Sequence, residues 1–599
     1  MQMKNSLDIL FKNVTVVDGT GAEPYIADVG VKDGRIAEIG KIATSSTSTV
    51  PSDGLHLMPG FVDIHTHYDG QASWDETFAP SIYHGVTTLV MGNCGVGFAP
   101  VRPQDHDVLI DLMEGVEEIP GSALMEGLTW KWESFTEYGN ALDAMPHSLD
   151  FMTLVPHDAL RLYVMGERAA KGESATENDL KQMQDLLRTA LLDGACGLAV
   201  GSTETHRTAK GQMTPSFEVS PDELNGLALV LKDLPYRVIQ GVSDFASPRG
   251  TPAEEKLRFD REYAKLEDMA RLSGRPISIS WMDRVNAPKQ SIWLGDAAIA
   301  SEGKGIAVKL QASPRGVGVM NGLDTTLNLL AAFPSYQAIA HLPASARAAK
   351  LREPAIRAQI LSEAPVSLSV EGTSIPPLAD YVVAHFEQVA FMLFPLIETA
   401  SGSMDYEPLP ETSFGARAKA SGKSARELMY DHLASGEGTN LVYFPIFNYL
   451  KGSLDRVREM LTHPHALVSL GDAGAHVGTV CDASVSTTML AHWGVQRTRG
   501  EKIPLPLVVQ MLSQRNARYM GLTDRGTIEV GMKADLNLVD LGKLALPMPE
   551  IVRDLPKGGR RMIQKSKGYV ATYVSGQAVI EDGRITSARP GRWARSARG

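Results

Sequence analysis

Residues 58–94 read MPGFVDIHTHYDGQASWDETFAPSIYHGVTTLVMGNC and contain the run Phe61-Val62-Asp63-Ile64-His65-Thr66-His67, where apolar residues are mixed with three ligand-type side chains. In a strand, successive side chains point to opposite faces, so Asp63, His65 and His67 share one face. Two imidazoles two residues apart on a strand can meet at one cation, and borderline transition metals favour imidazole nitrogen. An isolated His-x-His is as often a pair of solvated or core histidines, so the pattern around it has to decide.

Further β-like runs recur with helical stretches between them: 61–67, 85–94, 150–155, 197–202, 237–242, 276–281, 305–311 and 466–471. Strands separated by helical crossovers form a parallel sheet, and eight of them predict an α/β fold of the (β/α)8, TIM-like barrel type. Active sites of such barrels lie at the C-terminal strand ends. His65, His67, Cys94 and Asp472 all fall at or beside such ends. Residues 313–464 are too many for an ordinary βα connection and predict an insertion at the barrel mouth, with helices over 344–364 and 424–433. The aromatic run from Tyr443 to Tyr449 reads as core, with an apolar acyl pocket as the alternative.

Both ends of the chain have a different texture. Residues 7–17 and 27–40 are β-rich, with a hairpin signal at Asp33-Gly34, whereas 45–52 are polar and read as a loop. The same texture returns at 526–538 and 568–585, with another Asp-Gly turn at Asp582-Gly583. One small β-sandwich domain built from both termini (1–57 and 521–599) is therefore expected around a barrel domain (58–520).

Composition narrows the function. A chain of 599 residues with 43% hydrophobic content buries a large core. Its net charge of -12 argues against nucleic-acid binding, which needs a cationic face, and favours a small-molecule partner. Three cysteines, Cys94, Cys196 and Cys481, make a poor disulfide framework and fit a reducing cytoplasm. No segment reaches about 18 uninterrupted apolar residues, and no secretory leader is evident. A cytoplasmic protein without membrane contact is expected, with a homo-oligomer open.

MPGFVDIHTH, HGVTTLVMGNCGVGFAP, GDAGAH and the closing DRGTIEVGMKADLNLVD resemble the amidohydrolase superfamily. Within it they are similar to the N-acyl-D-amino-acid deacylase (D-aminoacylase) group, and the resemblance covers nearly the whole chain. The HxH strand and the KAD motif are generic to the superfamily, while Gly92-Asn93-Cys94-Gly95 is more specific to this branch. The resemblance implies one metal site from His65, His67 and Asp472, with Cys94 in a second or adjacent one, replacing the lysine carbamate that bridges two metals in many relatives. The group's histidines at the ends of the fifth and sixth strands have no counterpart in 238–243 or 277–282. One zinc ion is thus expected and the second site is incomplete. The group's substrate-holding lysine past the sixth strand is also missing from Trp281-Met282-Asp283.

The chemistry can be argued separately. Hydrolysis of an unactivated amide needs a strengthened nucleophile and a polarised carbonyl, and a zinc ion supplies both. Asp472, at the eighth strand's mouth, suits a general base that then protonates the leaving amine; a loop or N-cap aspartate is the plainer alternative. Cys94 is a good zinc ligand as thiolate, though a lone cysteine is most often small apolar core. His206 and Arg207, after the fourth strand, are candidates to supply an imidazole and a carboxylate fork. Arg315 and His476 are further candidates on the substrate side, weighed against ordinary loop roles. The expected function is a metal-dependent amidohydrolase cleaving a linear amide, an N-acyl-D-amino acid or related small N-acyl compound. Cyclic-amide hydrolysis of the hydantoinase or dihydroorotase kind is one alternative, and a catalytically silent barrel serving binding or assembly is another.

Overall fold

The computed structural model describes residues 6–245, 251–369, 378–480 and 482–597; Cys481 lies outside them. The chain opens with β1 (Leu7–Val16), β2 (Tyr25–Lys32), β3 (Arg35–Gly40), β4 (Ser46–Pro51) and β5 (His56–Pro59). The β2–β3 hairpin turns at Asp33-Gly34, where both residues have positive φ (48° and 74°), as a two-residue turn between right-twisted strands requires. The loop expected at 45–52 is corrected to a strand, because β4 pairs in parallel with β1 from Leu7↔Ser46 to Lys12↔Pro51. Most of its side chains face solvent, so it shows no apolar alternation and is held through its backbone.

Seven parallel strands follow: β6 (Phe61–Asp63), β7 (Val86–Met91), β8 (Asp150–Pro156), β9 (Gly197–Ser202), β10 (Val238–Ser243), β11 (Ile277–Trp281) and β12 (Val308–Ala312). Several are buried along their whole length, which is why they read as continuous apolar runs. The chain then builds a small antiparallel sheet from β13 (Val317–Gly322), β14 (Phe394–Pro395) and β15 (Leu441–Phe447) before β16 (Ala466–Val468) returns beside β12. The eight parallel strands run in the order β6 to β12 and then β16. Thr66, just past β6, bridges to Ala473 past β16, and His67 N–H donates to Ala473 O at 2.8 Å, which closes the ring. The barrel expectation holds, with one strand in each of the eight segments.

The segment between β12 and β16 has its own core, including Leu330, Leu351, Phe414 and Tyr430. The helix expected over 344–364 is two helices, Ala344–Leu351 and Pro354–Ser362. Pro354 lacks an N–H and cannot continue a helix, but it suits the first position of a new one. The helix Ala425–Ala434 starts at a Ser424/Glu427 capping box.

The chain ends with β17 (Leu536–Val539), β18 (Glu550–Leu555), β19 (Gly559–Ile563), β20 (Tyr569–Val574), β21 (Gln577–Glu581) and β22 (Arg584–Ile585). β17 pairs with β5, so one nine-stranded mixed sheet joins both ends. Phe11 of β1 meets Tyr573 of β20 edge to face at 5.3 Å between centroids, although β5 and β17 lie between them in the sheet. A flat sheet would hold those strands about 14 Å apart, so this one curls over its own core. At the barrel's lower rim, Asp150 accepts from Arg525 (2.6 Å) and Lys533 (2.7 Å), and Lys533 also reaches Asp535. Arg525 and Lys533 belong to the DRGTIEVGMKAD stretch, so that motif clamps the terminal sheet to the barrel. Among the described residues, no helix is long and apolar enough to cross a membrane.

Candidate metal centre

β6 ends at Asp63, whose Oδ1 accepts from His65 N (3.2 Å) and turns the chain as it leaves the strand. Both imidazoles stay inside the barrel, fully buried, with ring centroids 5.3 Å apart. His65 Nε2 lies 3.3 Å from Cys94 Sγ and 3.3 Å from Asp472 Oδ1, and His67 Nε2 lies 3.8 Å from the same Asp472 oxygen. One ligand atom from each of His65, His67 and Cys94 falls within 4.8 Å of the others.

Backbone geometry puts Cys94 there. Gly92, Cys94 and Gly95 all have positive φ (83°, 57° and 81°). A Cβ on Gly92 would stand 2.4 Å from Leu154 O, so only glycine allows the loop to press against β8. Cys94 N–H donates to Gln240 Oε1 at 2.7 Å. On the opposite side, Leu470, Asp472 and His476 also adopt positive φ (62°, 42° and 47°), an uncommon backbone for side-chain-bearing residues. Asp472 is a quarter exposed, which leaves it as the solvent-facing member of the group.

Two residues outside the sequence motifs face the Nδ1 atoms of the two imidazoles. Gln311, on β12, places Oε1 2.5 Å from His65 Nδ1 and donates through Nε2 to Ser278 on β11. Glu117, at the end of the helix His106–Glu117, puts Oε1 3.2 Å from His67 Nδ1 without hydrogen-bond alignment, and its carbonyl accepts from His476 N. The available signal was an acidic Glu117-Glu118 pair at a helix C-terminus, where the helix dipole disfavours anions. Arg284, three residues past β11, is largely buried. Among the described residues its Nε has no hydrogen-bond partner; its terminal nitrogen is 3.8 Å from Asp244 Oδ1, and the guanidinium lies over Phe447.

Electrostatics mark the site as short of positive charge. Burial pushes the carboxyls of Asp63 and Asp69 up to about 7 and that of Glu117 to about 8, with neighbouring acids contributing at Asp63 and Glu117. Burial, Glu117, Asp472 and Asp69 all raise the Cys94 thiol. Burial opposes charge on His476, yet Glu118, Glu117 and Asp472 lift it to about 10. The converging His65, His67 and Cys94, with Asp472 Oδ1 beside both imidazoles and further buried acids around them, form a donor set that fits a divalent cation. Such a cation would hold the thiol and the carboxylates ionised. His65, His67, Cys94 and Asp472 are the residues placed to hold it.

Of the other candidates, His206 is partly buried and held down at about 3 by burial, His476 and His65, so it lies within electrostatic reach of the cluster. Arg207 is exposed and donates to Gly211 O in its own loop (3.0 Å). Arg315 is fully buried, paired with Asp482 (2.5 Å) and stacked on Tyr406. The structure therefore gathers His65, His67, Cys94, Asp472, His206 and His476, and sets Arg207 and Arg315 to other contacts. The fifth and sixth strands end in Val242-Ser243 and Ser280-Trp281, with no imidazole; deeper in them, Gln240 accepts from Cys94 N and Ser278 accepts from Gln311 Nε2.

A family model described as "Amidohydrolase family" matches residues 50–362 and 439–580. The D-aminoacylase of Alcaligenes xylosoxydans xylosoxydans is 34% identical over 196 residues, 33% of this chain and 38% of that protein. The N-acyl-D-aspartate deacylase of the same organism is 32% identical over 196 residues, 33% and 36% of the two chains. These matches span under two-fifths of each relative's length. Among solved structures, a D-aminoacylase described by its binuclear metal centre shares the fold at a TM-score of 0.61 and 23% identity, covering 98% of this chain and 99% of that one. An N-acyl-D-glutamate deacylase from Bordetella bronchiseptica, complexed with zinc and a phosphonate inhibitor, aligns at a TM-score of 0.62 and 21% identity, covering 99% and 100%.

Proposed function

Because the chain belongs to the amidohydrolase family, we propose that it is a zinc-dependent hydrolase cleaving the linear amide of an N-acyl-D-amino acid or a related small N-acyl compound. The observation that carries this reading is the meeting of His65 Nε2, Cys94 Sγ, His67 Nε2 and Asp472 Oδ1 in a buried pocket short of positive charge. The D-aminoacylase and deacylase relatives supply the substrate class.

A bound zinc ion supplies a Lewis acid for the carbonyl and acidifies water to a pKa of about 7. Asp472, the exposed member, takes the proton of the attacking water and returns it to the leaving nitrogen. Gln311 holds His65 with its Nε2 inward, and Glu117 lies against His67 Nδ1 on the far side of that ring from the site. His206 and His476 border the substrate, and Arg284 holds its carboxylate through the unpaired guanidinium edge. One metal suffices in this scheme, since neither β10 nor β11 ends in an imidazole for a second set of ligands.

The test is elemental analysis of protein purified without chelator, beside a His65→Ala/His67→Ala variant, followed by acid release from linear and cyclic amides. About one zinc per chain, lost in the variant, together with hydrolysis of N-acyl-D-amino acids, is the expected result. Asp472→Asn is expected to fold and to lose about 10²- to 10⁴-fold in kcat. Hydrolysis of cyclic amides alone would move the assignment to that class. Neither metal nor turnover, even with zinc added, would leave a binding barrel.

A further inference from the structure

A cavity of about 40 Å3 lies between the inserted sheet and the strand-eight loop, with apolar walls from Leu327, Leu329, Val382, Leu393 and Phe444. This is space for roughly three waters, or for one substituent of a larger ligand. Glu118 and Thr479 line it too. Thr479 donates to Glu118 Oε2 at 2.6 Å, and His476 Nδ1 lies 3.8 Å from that oxygen, so the cavity adjoins the residues that surround the metal centre.

One side chain in this lining is out of keeping with it. Asn321, on β13, is 1% exposed, and among the described residues neither its Nδ2 nor its Oδ1 has a hydrogen-bond partner. Buried polar groups are almost always paired, because an unpaired one forfeits its hydration with no return. A carboxamide with both ends open is complementary to a group that offers an N–H and a C=O together, which is another amide. No side chain in the cavity lining is cationic, and Glu118 contributes negative charge there. An anionic substituent would find no cationic partner in the lining, since the neighbouring His476 is already paired with Glu118, and a purely apolar one would leave Asn321 unpaired.

Resting on the reading of the metal centre as an N-acyl hydrolase, we propose that this cavity is the subsite for a neutral, amide-bearing substituent of the substrate, recognised by Asn321 within apolar walls. The amide can come from the amino-acid side chain or from the acyl group, and the two sources are separable by substrate design.

The experiment compares kcat/KM for N-acetyl-D-glutamine with N-acetyl-D-glutamate and N-acetyl-D-methionine. It does the same for 3-carbamoylpropanoyl-D-leucine against its carboxylate and methyl analogues. In one of the two series the amide is expected to lead by roughly 10- to 100-fold, and the lead to collapse in Asn321→Leu. That variant should also unfold at a higher temperature than the parent, because it loses an unpaired buried amide. Binding is followed in parallel by NMR with isobutyramide and isobutyrate. Isobutyramide should bind the parent and not the variant, whereas any binding of isobutyrate, at the metal centre or Arg284, should be the same in both. Equal rates across both series would overturn the subsite while leaving the hydrolase reading intact. No hydrolysis of any substrate would overturn the hydrolase reading, and isobutyramide binding would then decide the subsite alone. Absent or Asn321-independent isobutyramide binding overturns it, as does a destabilised Asn321→Leu with no amide preference, which assigns the side chain to bound water.

Discussion

Gln311 Oε1 sits 2.5 Å from His65 Nδ1, a hydrogen bond that crosses the barrel from its seventh strand to its first. With Gln311 Nε2 donating to Ser278, its oxygen faces the ring, an orientation that places the His65 proton on Nδ1 and turns the Nε2 lone pair to the site. Gln311→Ala is expected to leave the fold intact and to weaken zinc binding about 10- to 100-fold. Competition with a coloured chelator measures this, and unchanged affinity would show that Gln311 does not tune the ligand.

Arg284 gives a prediction that separates binding from chemistry. If it grips the substrate carboxylate, Arg284→Ala should raise KM, leave kcat largely unchanged, and cost about 10- to 100-fold in kcat/KM. The corresponding amino-acid amides, which lack the carboxylate, should be hydrolysed alike by parent and variant. An equal loss on both substrate types would reduce Arg284 to a structural role beside Asp244 and Phe447.

Glu407 ties the segment before β16 to Arg497 and His492 after it, and also accepts from Leu454 N within its own segment. Burial alone would raise its pKa, but these partners lower it from 4.5 to about 2. A carboxyl depressed on folding contributes stability that is complete above its unfolded value and lost as pH falls towards the folded one. The window is therefore pH 4.5 down to about 2, and the stake is on the order of 3 kcal/mol. Urea melts at pH 7, 4.5 and 3 should show Glu407→Gln less stable than the parent at pH 7, with the gap narrowing at pH 3.

Asp150 neutralises Arg525 and Lys533 beneath the barrel. Asp150→Ala leaves Arg525 to Asp524 and Asp535 and leaves Lys533 to Asp535 alone, and should cost about 3 kcal/mol of unfolding free energy. Zinc content per folded chain should not change, because the clamp sits at the opposite end of the strands from the site. Loss of zinc at full folding would contradict that separation.

The barrel was legible because most of its strands are buried throughout and so appear as apolar runs, with His65, His67, Cys94 and Asp472 beside their ends. β4 was not, since a strand exposed on its side chains has no apolar signature. Glu117 and Gln311 lie far in sequence from the histidines they face, and a single sequence carries no sign of which helix end or strand face turns inward. Arg284 was missed by one residue, because the loop leaving β11 runs just beyond the window that the strand end suggested. Asn321 is invisible without coordinates, as its distinction is what it does not touch.

The pairing of β5 with β17 also sets a timetable. Pro59 and its partner Leu536 are separated by 477 positions (536 − 59), so β5 leaves the ribosome long before the strand that covers it exists. At about 5–20 residues per second the wait is roughly half a minute to a minute and a half. During that interval the first five strands present an open edge, and the barrel that follows them has to assemble while tethered to an unfinished sheet. Early termination anywhere before β17 would release a chain whose exposed edge is a template for pairing with its copies.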